Sequence, residues 1–94
     1  MSEIKVLVTD DHQIIVDGLK SLLNNSADFK VIGEANNGRE ALKIIENVEV
    51  DVVLMDIDMP VMNGIETLKE IRRRQLEVKV IILSMHHEAG MIKS

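Results

Sequence analysis

The chain has 94 residues, enough for one small domain with a hydrophobic core and little more. It contains no cysteine, which excludes disulfide bonds, thiol chemistry and cysteine-based zinc sites. The net charge of −5, the absence of tryptophan and tyrosine and the single phenylalanine argue against nucleic-acid binding by this chain. No apolar run approaches the roughly 18 residues of a membrane span, and no leader-like segment opens the sequence, so we expect a cytoplasmic protein without a membrane partner.

Strands and helices are predicted to alternate from the start of the chain. Residues 4–9 (IKVLVT) are apolar and β-branched, which predicts a strand. Apolar side chains at helical spacing then predict a helix that ends near residues 24–26: Ile15, Leu19, Leu22 and Leu23. Residues 29–35 (FKVIGEA) alternate more between apolar and polar side chains, which indicates a strand nearer the edge of a sheet.

Two further helices are predicted in the second half of the chain. Asn37, with Glu40 three residues later, is typical of an N-cap and its reciprocal partner. The helix that follows would bury Ala41, Leu42 and Ile45. After Pro60 and Gly64, helical spacing predicts a third helix that ends at residues 72–74: Ile65, Leu68 and Ile71.

Residues 51–56 (DVVLMD) and 78–84 (VKVIILS) predict a third and a fourth strand, and the final MHHEAGMIKS is too short to assign. The predicted strands at residues 4–9, 51–56 and 78–84 are almost wholly apolar, which is the composition of parallel strands buried on both faces. The order βαβαβαβ favours an α/β fold, a doubly wound parallel sheet with helices on both faces. No linker or repeat divides the chain, so we expect a single domain over residues 1–94.

Polar side chains end three of these strands. Asp10 and Asp11 follow the first strand, Asp56 ends the third, and Ser84 ends the fourth. Because ligands bind at the carboxyl ends of parallel strands, these groups are predicted to converge. Clustered carboxylates repel one another, and a divalent cation removes the repulsion. Hard oxygen ligands suit Mg²⁺, with Mn²⁺ as a second possibility.

A carboxylate beside Mg²⁺ can attack phosphorus and form an aspartyl phosphate. Asp56 is the best candidate nucleophile because it ends the most apolar, central strand, and Ser84 is a candidate hydrogen-bond donor to the phosphoryl group. Each residue alone has an ordinary explanation, since Asp10 and Asp11 also suit a helix cap and Ser84 suits a turn. The occurrence of all of them at strand ends favours a functional site. His12 is predicted to be an exposed residue of the first helical turn.

Three segments occur in the order and spacing of a known family: LVTDDHQIIVDGLKSLL, DVVLMDIDMPVMNG and VIILS. Together they resemble the receiver domain of two-component response regulators, and the resemblance covers essentially all 94 residues. The stretch from His12 to Leu23 and the GEANNGREAL segment are most similar to the NarL/LuxR-type subgroup, whose receivers are joined to a helix-turn-helix DNA-binding domain. The resemblance implies a flavodoxin-like (CheY-like) fold, here with four strands, three helices and the start of a fourth helix.

The resemblance also implies roles for individual residues. Asp56 would accept a phosphoryl group from a sensor histidine kinase, which makes the chain a phosphoacceptor rather than an enzyme. Asp11 and Asp56 would bind Mg²⁺ directly, Asp10 would bind it through water, and Asp58 would contribute its backbone carbonyl. Ser84 would turn towards the phosphoryl oxygens and report phosphorylation to a DNA-binding output domain outside this chain, which regulates transcription.

The sequence departs from the family at its end. Receivers have a fifth strand whose last residue, a lysine, pairs with the phosphoryl group, whereas this chain stops at Ser94, so we expect a truncated fragment. One alternative function is therefore a phosphorylation-impaired, metal-binding fragment. Another is a homo-oligomer that self-associates through the edge strand at 78–84. Hydrolases of the haloacid-dehalogenase type are disfavoured, because their D-x-D follows the first strand and Asp56 and Asp58 follow the third.

Overall fold

The computed structural model of the chain describes residues 3–83. Seven elements alternate along these residues: β1 (Ile4–Thr9), α1 (Gln13–Asn24), β2 (Phe29–Ala35), α2 (Gly38–Asn47), β3 (Val52–Asp56), α3 (Gly64–Arg73) and β4 (Lys79–Leu83). All four predicted strands and all three complete predicted helices are confirmed. Ser84 and the predicted start of a fourth helix lie outside the described residues. No helix within residues 3–83 combines the length and the apolar character that a membrane crossing requires.

The four strands form one parallel sheet in the order β2-β1-β3-β4. The edge position predicted for residues 29–35 is confirmed, and β1 and β3 occupy the centre. Val8, Val53 and Met55 on these central strands are completely buried, as their apolar runs predicted. The chain passes from β1 outwards to β2 and then crosses to β3 on the other side of β1. This reversal places the ends of β1 and β3 at the topological switch point, where open α/β sheets bind ligands.

Helices cover both faces of the sheet. Helix α1 packs over Val6 and Val8 through its buried Val16, with Leu19 and Leu23 beside it. The opposite face holds the larger core: Leu7, Ala35, Ala41, Val50, Val53, Met55 and Met59. Helix α2 lies against this core and contacts α3. The predicted doubly wound architecture is therefore confirmed.

Leu22 was predicted to belong to the packed stripe of α1, and this prediction is wrong. Its side chain is 69% exposed, and Val16 takes the buried position instead. The reason is that α1 carries two apolar stripes. Leu22 belongs to the second, with Ile14 and Gly18 at steps of four residues, and this stripe faces away from the described core.

The N-caps of α2 and α3 differ in detail. The predicted cap of α2 is confirmed, because the Asn37 side chain accepts a hydrogen bond from the Glu40 backbone N–H at 3.0 Å. The Glu40 carboxylate, however, accepts from the backbone N–H of Asn36 at 2.8 Å instead of that of Asn37. A complete capping box, which the sequence analysis did not identify, joins Asn63 and Glu66 at the start of α3.

Gly64, the first residue of α3, does not use the left-handed backbone angles open to glycine, since no glycine in the described residues has a positive φ. Its role is close packing: a Cβ atom here would lie 2.5 Å from the Asp56 carbonyl oxygen and 3.0 Å from the Ile57 Cα. The left-handed conformation in this loop belongs to Val61, with φ of 67°. Thus α3 begins directly against the end of β3.

Candidate functional site

Adjacent strands deliver the three acidic residues to one place. Thr9 on β1 pairs with Met55 on β3, so Asp10 and Asp56 follow side by side at the carboxyl end of the sheet. Asp10 is 1% exposed and Asp56 is fully buried, whereas Asp11 is exposed at the surface. The structure therefore brings together the three acids that were expected to converge.

His12 completes this group, and the sequence analysis assigned it no role in the site. Its ring Nδ1 lies 2.7 Å from Asp10 Oδ1, 3.3 Å from Asp11 Oδ1 and 3.9 Å from Asp56 Oδ2. Its side chain is 51% exposed, so the expected exposure is confirmed while the contact with the acids was missed. The signal was the position itself: the residue after an acid pair at a strand end becomes the N-cap of α1 and turns back towards the carboxylates.

A backbone hydrogen bond anchors this arrangement. The backbone N–H of His12 donates to Asp10 Oδ1 at 2.9 Å, the same oxygen that Nδ1 approaches. Asp10 Oδ1 is therefore held from two directions by one residue. One donor atom from each of Asp10, Asp11, His12 and Asp56 lies within 4.8 Å of the donor atoms of the other three. We call these four residues the acidic cluster.

The surroundings of Asp56 in the acidic cluster disfavour the ionised form of its carboxyl group. Burial raises the pKa of the Asp56 carboxyl, and the nearby Asp10 carboxylate raises it further. The backbone N–H groups of Ile57 and Asp58 and the His12 ring lower this pKa and only partly offset the increase. The hydrogen bond to Asp10, followed by the charges of Asp10 and Asp11, raises the pKa of His12. The cluster thus attracts positive charge.

The donor atoms fit a hard divalent cation. Asp10 Oδ2 and both carboxylate oxygens of Asp56 are buried and have no hydrogen-bond partner of good geometry among residues 3–83. Buried polar atoms are normally paired, so these three oxygens are candidate ligand atoms for a cation. Convergent carboxylates with space for water are the environment that Mg²⁺ and Mn²⁺ prefer.

The structure does not test the roles that the sequence predicts for Asp58 and Ser84. Asp58 lies two residues beyond β3 in the loop before α3 and is exposed. Ser84 lies outside the described residues. A further buried group, Thr9 Oγ1, has no hydrogen-bond partner in the described part of the chain and was not identified from the sequence.

Comparisons with known proteins identify the family of the chain. The family model for the response regulator receiver domain matches residues 6–94. The nitrate/nitrite response regulator protein NarL of Escherichia coli K12 is 35% identical over 88 residues, which cover 93% of this chain and 41% of NarL. The response regulator UvrY of the same strain is 41% identical over 85 residues, which cover 90% of this chain and 39% of UvrY.

A solved structure, the signal receiver domain of NarL from Mycobacterium tuberculosis, aligns with a TM-score of 0.89 and 32% identity. The alignment covers 99% of this chain and 75% of that chain. The chain spans about two-fifths of the length of the curated relatives that it matches. The family match, the relatives and the shared fold together show that the chain belongs to the response regulator receiver domain family, with relatives among the NarL- and LuxR-type regulators.

Proposed function

We propose that this chain is a phosphoacceptor and that Asp56 takes a phosphoryl group from a sensor histidine kinase. The observation that carries the proposal is the state of Asp56, which is fully buried at the switch point and whose two carboxylate oxygens have no hydrogen-bond partner of good geometry among residues 3–83. A structural carboxylate in such surroundings would normally be paired. Membership of the receiver family supports the same assignment.

The acidic cluster supplies the positioning that phosphoryl transfer needs. Asp10, Asp11 and Asp56, with the backbone carbonyl of Asp58, would hold Mg²⁺, which neutralises the carboxylates and the transferred phosphoryl group. An Asp56 oxygen attacks phosphorus in line, an O–P bond forms, and the bond to the donor's nitrogen or oxygen breaks. Because β3 and its neighbours enclose Asp56, the attacking oxygen has little freedom to move.

The wider role is inferred from the relatives. We propose that Ser84 donates a hydrogen bond to the phosphoryl group and acts as the switch residue. Phosphorylation would then control transcription through a DNA-binding domain, because the relatives include response regulators of the LuxR family. A cytoplasmic location and a cognate histidine kinase follow from the same inference.

Fluoroberyllate, which mimics a phosphoryl group on aspartate, tests this proposal. We expect ¹⁹F NMR to show a bound species with the full 94-residue chain only when Mg²⁺ is present. Asp56→Asn should abolish that species, while Asp28→Asn, an exposed acid remote from the acidic cluster, should leave it unchanged. A bound species that persists in Asp56→Asn would contradict the assignment.

A second candidate function, self-association, is favoured by a different observation. Strand β4 is the outermost strand on its side of the described sheet, and Ile81 in its middle is 45% exposed. A groove of about 480 Å³ lies beside it, lined mainly by the second stripe of α1 and by Ile82 and Leu83. An apolar groove next to an exposed edge strand suits pairing with an identical edge, so we propose a second copy of this chain as its occupant.

A further inference from the structure

We propose that His12 is a ligand of the divalent cation and that it shifts the preference of the site from Mg²⁺ towards nitrogen-preferring cations such as Ni²⁺. The inference rests on the proposed metal site and adds a nitrogen donor to its carboxylates. Imidazole suits Ni²⁺, Zn²⁺ and Cu²⁺, whereas Mg²⁺ takes oxygen donors. The identity of residue 12 would therefore determine which cation the site prefers.

The spacing of the donor atoms supports this role. Ligand atoms bound about 2.1 Å from one octahedral cation lie about 3.0 Å apart when adjacent and about 4.2 Å apart when opposite. The Nδ1 atom of His12 lies 2.7, 3.3 and 3.9 Å from oxygens of Asp10, Asp11 and Asp56. All three distances fall close to that range. The four side chains therefore need only small adjustments to share one cation.

A second, independent observation points to a ligand at this site. Asp10 and Asp56 are at least 99% buried, and three of their carboxylate oxygens have no hydrogen-bond partner of good geometry in the described structure. The His12 side chain is 51% exposed, although its Nδ1 atom lies next to these buried carboxylates. The ring therefore joins the buried oxygens to the surface of the described structure.

Coordination of the cation by His12 needs no reactant other than the cation and solvent. Nδ1 binds the cation through its lone pair after losing its proton: a charged ring releases that proton to solvent, and a neutral ring exchanges it through solvent for a proton on Nε2. The hydrogen bond between Nδ1 and Asp10 Oδ1 is then replaced by two bonds to the cation, one from each atom. The backbone N–H of His12 continues to donate to Asp10 Oδ1 and keeps the ring near the site.

The competing role for His12 is a positive charge that occupies the position of the cation. Its removal would then increase the affinity for Mg²⁺ and Ni²⁺ by the same factor, because only a competitor is lost. Loss of a ligand changes the two affinities unequally. The ratio of the Ni²⁺ affinity to the Mg²⁺ affinity therefore separates the two roles.

Calorimetric titration of the full 94-residue chain with each cation alone provides the test. In His12→Ala we expect the ratio of Ni²⁺ to Mg²⁺ affinity to fall by about tenfold or more, since even outer partners of metal ligands contribute 10–100-fold. The double variant His86→Gln/His87→Gln is the matched control for adventitious histidine binding and should retain the wild-type ratio. His12→Asn, which keeps a polar N-cap, should behave like His12→Ala.

Nitrogen NMR gives a readout that a structural role would not change. Adding Zn²⁺ should shift the ¹⁵N resonance of His12 Nδ1 and leave Nε2 as the protonated nitrogen. An unchanged affinity ratio in His12→Ala, or equal gains for both cations, would overturn the role of His12. If that happens while Asp56→Asn still abolishes Mg²⁺ binding, the proposed phosphoacceptor site stands. If Asp56→Asn leaves Mg²⁺ binding intact, the proposed function itself fails.

Discussion

Asp56 carries a negative charge where the sheet gives it no solvent and where Asp10 adds repulsion. Because its pKa in the folded chain is raised above 3.8, the folded state binds this proton more tightly than the unfolded state does. The free energy of unfolding therefore falls as pH rises from below 3.8 through the raised pKa. The proposed phosphoacceptor thus destabilises the metal-free fold at neutral pH.

Asp56→Asn should raise the free energy of unfolding at pH 7 without divalent cations, on the order of 1 kcal/mol or more, because a buried unpaired charge is removed. Urea unfolding monitored by circular dichroism measures the change. The gain should shrink below pH 3.8, where Asp56 in both states is protonated. Asp28→Asn is the exposed control and should change stability little. A loss of stability in Asp56→Asn at pH 7 would contradict this account.

Val61 is a second residue that lowers the stability of the fold, in this case through its backbone conformation. It adopts φ of 67°, which a β-branched side chain disfavours, and it is 69% exposed, so few contacts compensate. Val61→Gly should therefore stabilise the chain by about 1 kcal/mol. Val48→Gly is the matched control, since Val48 is also exposed, at 47%, with an extended φ of −132°. There the same substitution should destabilise, and thermal unfolding of both variants provides the comparison.

At the scale of elements, two helical glycines differ in the space available for a Cβ atom. Gly64 begins α3 so close to β3 that a Cβ would overlap backbone atoms, whereas a Cβ on Gly18 in α1 would meet no atom within 4 Å. Gly64→Ala should cost about 2 kcal/mol or more, because backbone must shift. Gly18→Ala should stabilise by about 1 kcal/mol through helix propensity. Equal effects of the two substitutions in urea unfolding would contradict the close approach of α3 to β3.

The elements were predictable because their signals are local. The apolar run of residues 4–9 and the spacing of Ile65, Leu68 and Ile71 each determine an element without reference to the rest of the chain. Leu22 was misplaced because periodicity identifies an apolar stripe but does not say which of two stripes on α1 meets the sheet. The role of Gly64 was not predictable, because a close backbone approach depends on a neighbour that local sequence does not specify.

The candidate site was predictable to the extent that topology determines it. Parallel strands end at one edge, so Asp10, Asp11 and Asp56 had to approach one another once the sheet order followed the family. The contact of His12 depends on the turn between β1 and α1, where the chain folds back on the acid pair, and residue type alone does not reveal it. The roles of Ser84 and Asp58 stay predictions.

At the scale of the whole molecule, the outer edge of β4 is the exposed feature with a testable consequence. If two chains pair through this edge, Ile81→Lys should disrupt the pairing, because a charge in the middle of an edge strand opposes association. Ile65→Lys on α3 is the matched control, since Ile65 and Ile81 are both 45% exposed. Sedimentation velocity over a wide concentration range should show a dimer for the wild-type chain and Ile65→Lys, and a monomer for Ile81→Lys. A wild-type chain that stays monomeric at millimolar concentration would rule the pairing out.

The central claim is that Asp56 is the phosphoacceptor, and locating the acyl phosphate tests it most directly. The full 94-residue chain is incubated with acetyl phosphate and Mg²⁺, the acyl phosphate is trapped by borohydride reduction, and the modified residue is identified by mass spectrometry. The account predicts modification at Asp56 that requires Mg²⁺ and disappears in Asp56→Asn. Modification at Asp10 or Asp11, or modification of Asp56 that proceeds equally well without a divalent cation, would contradict it.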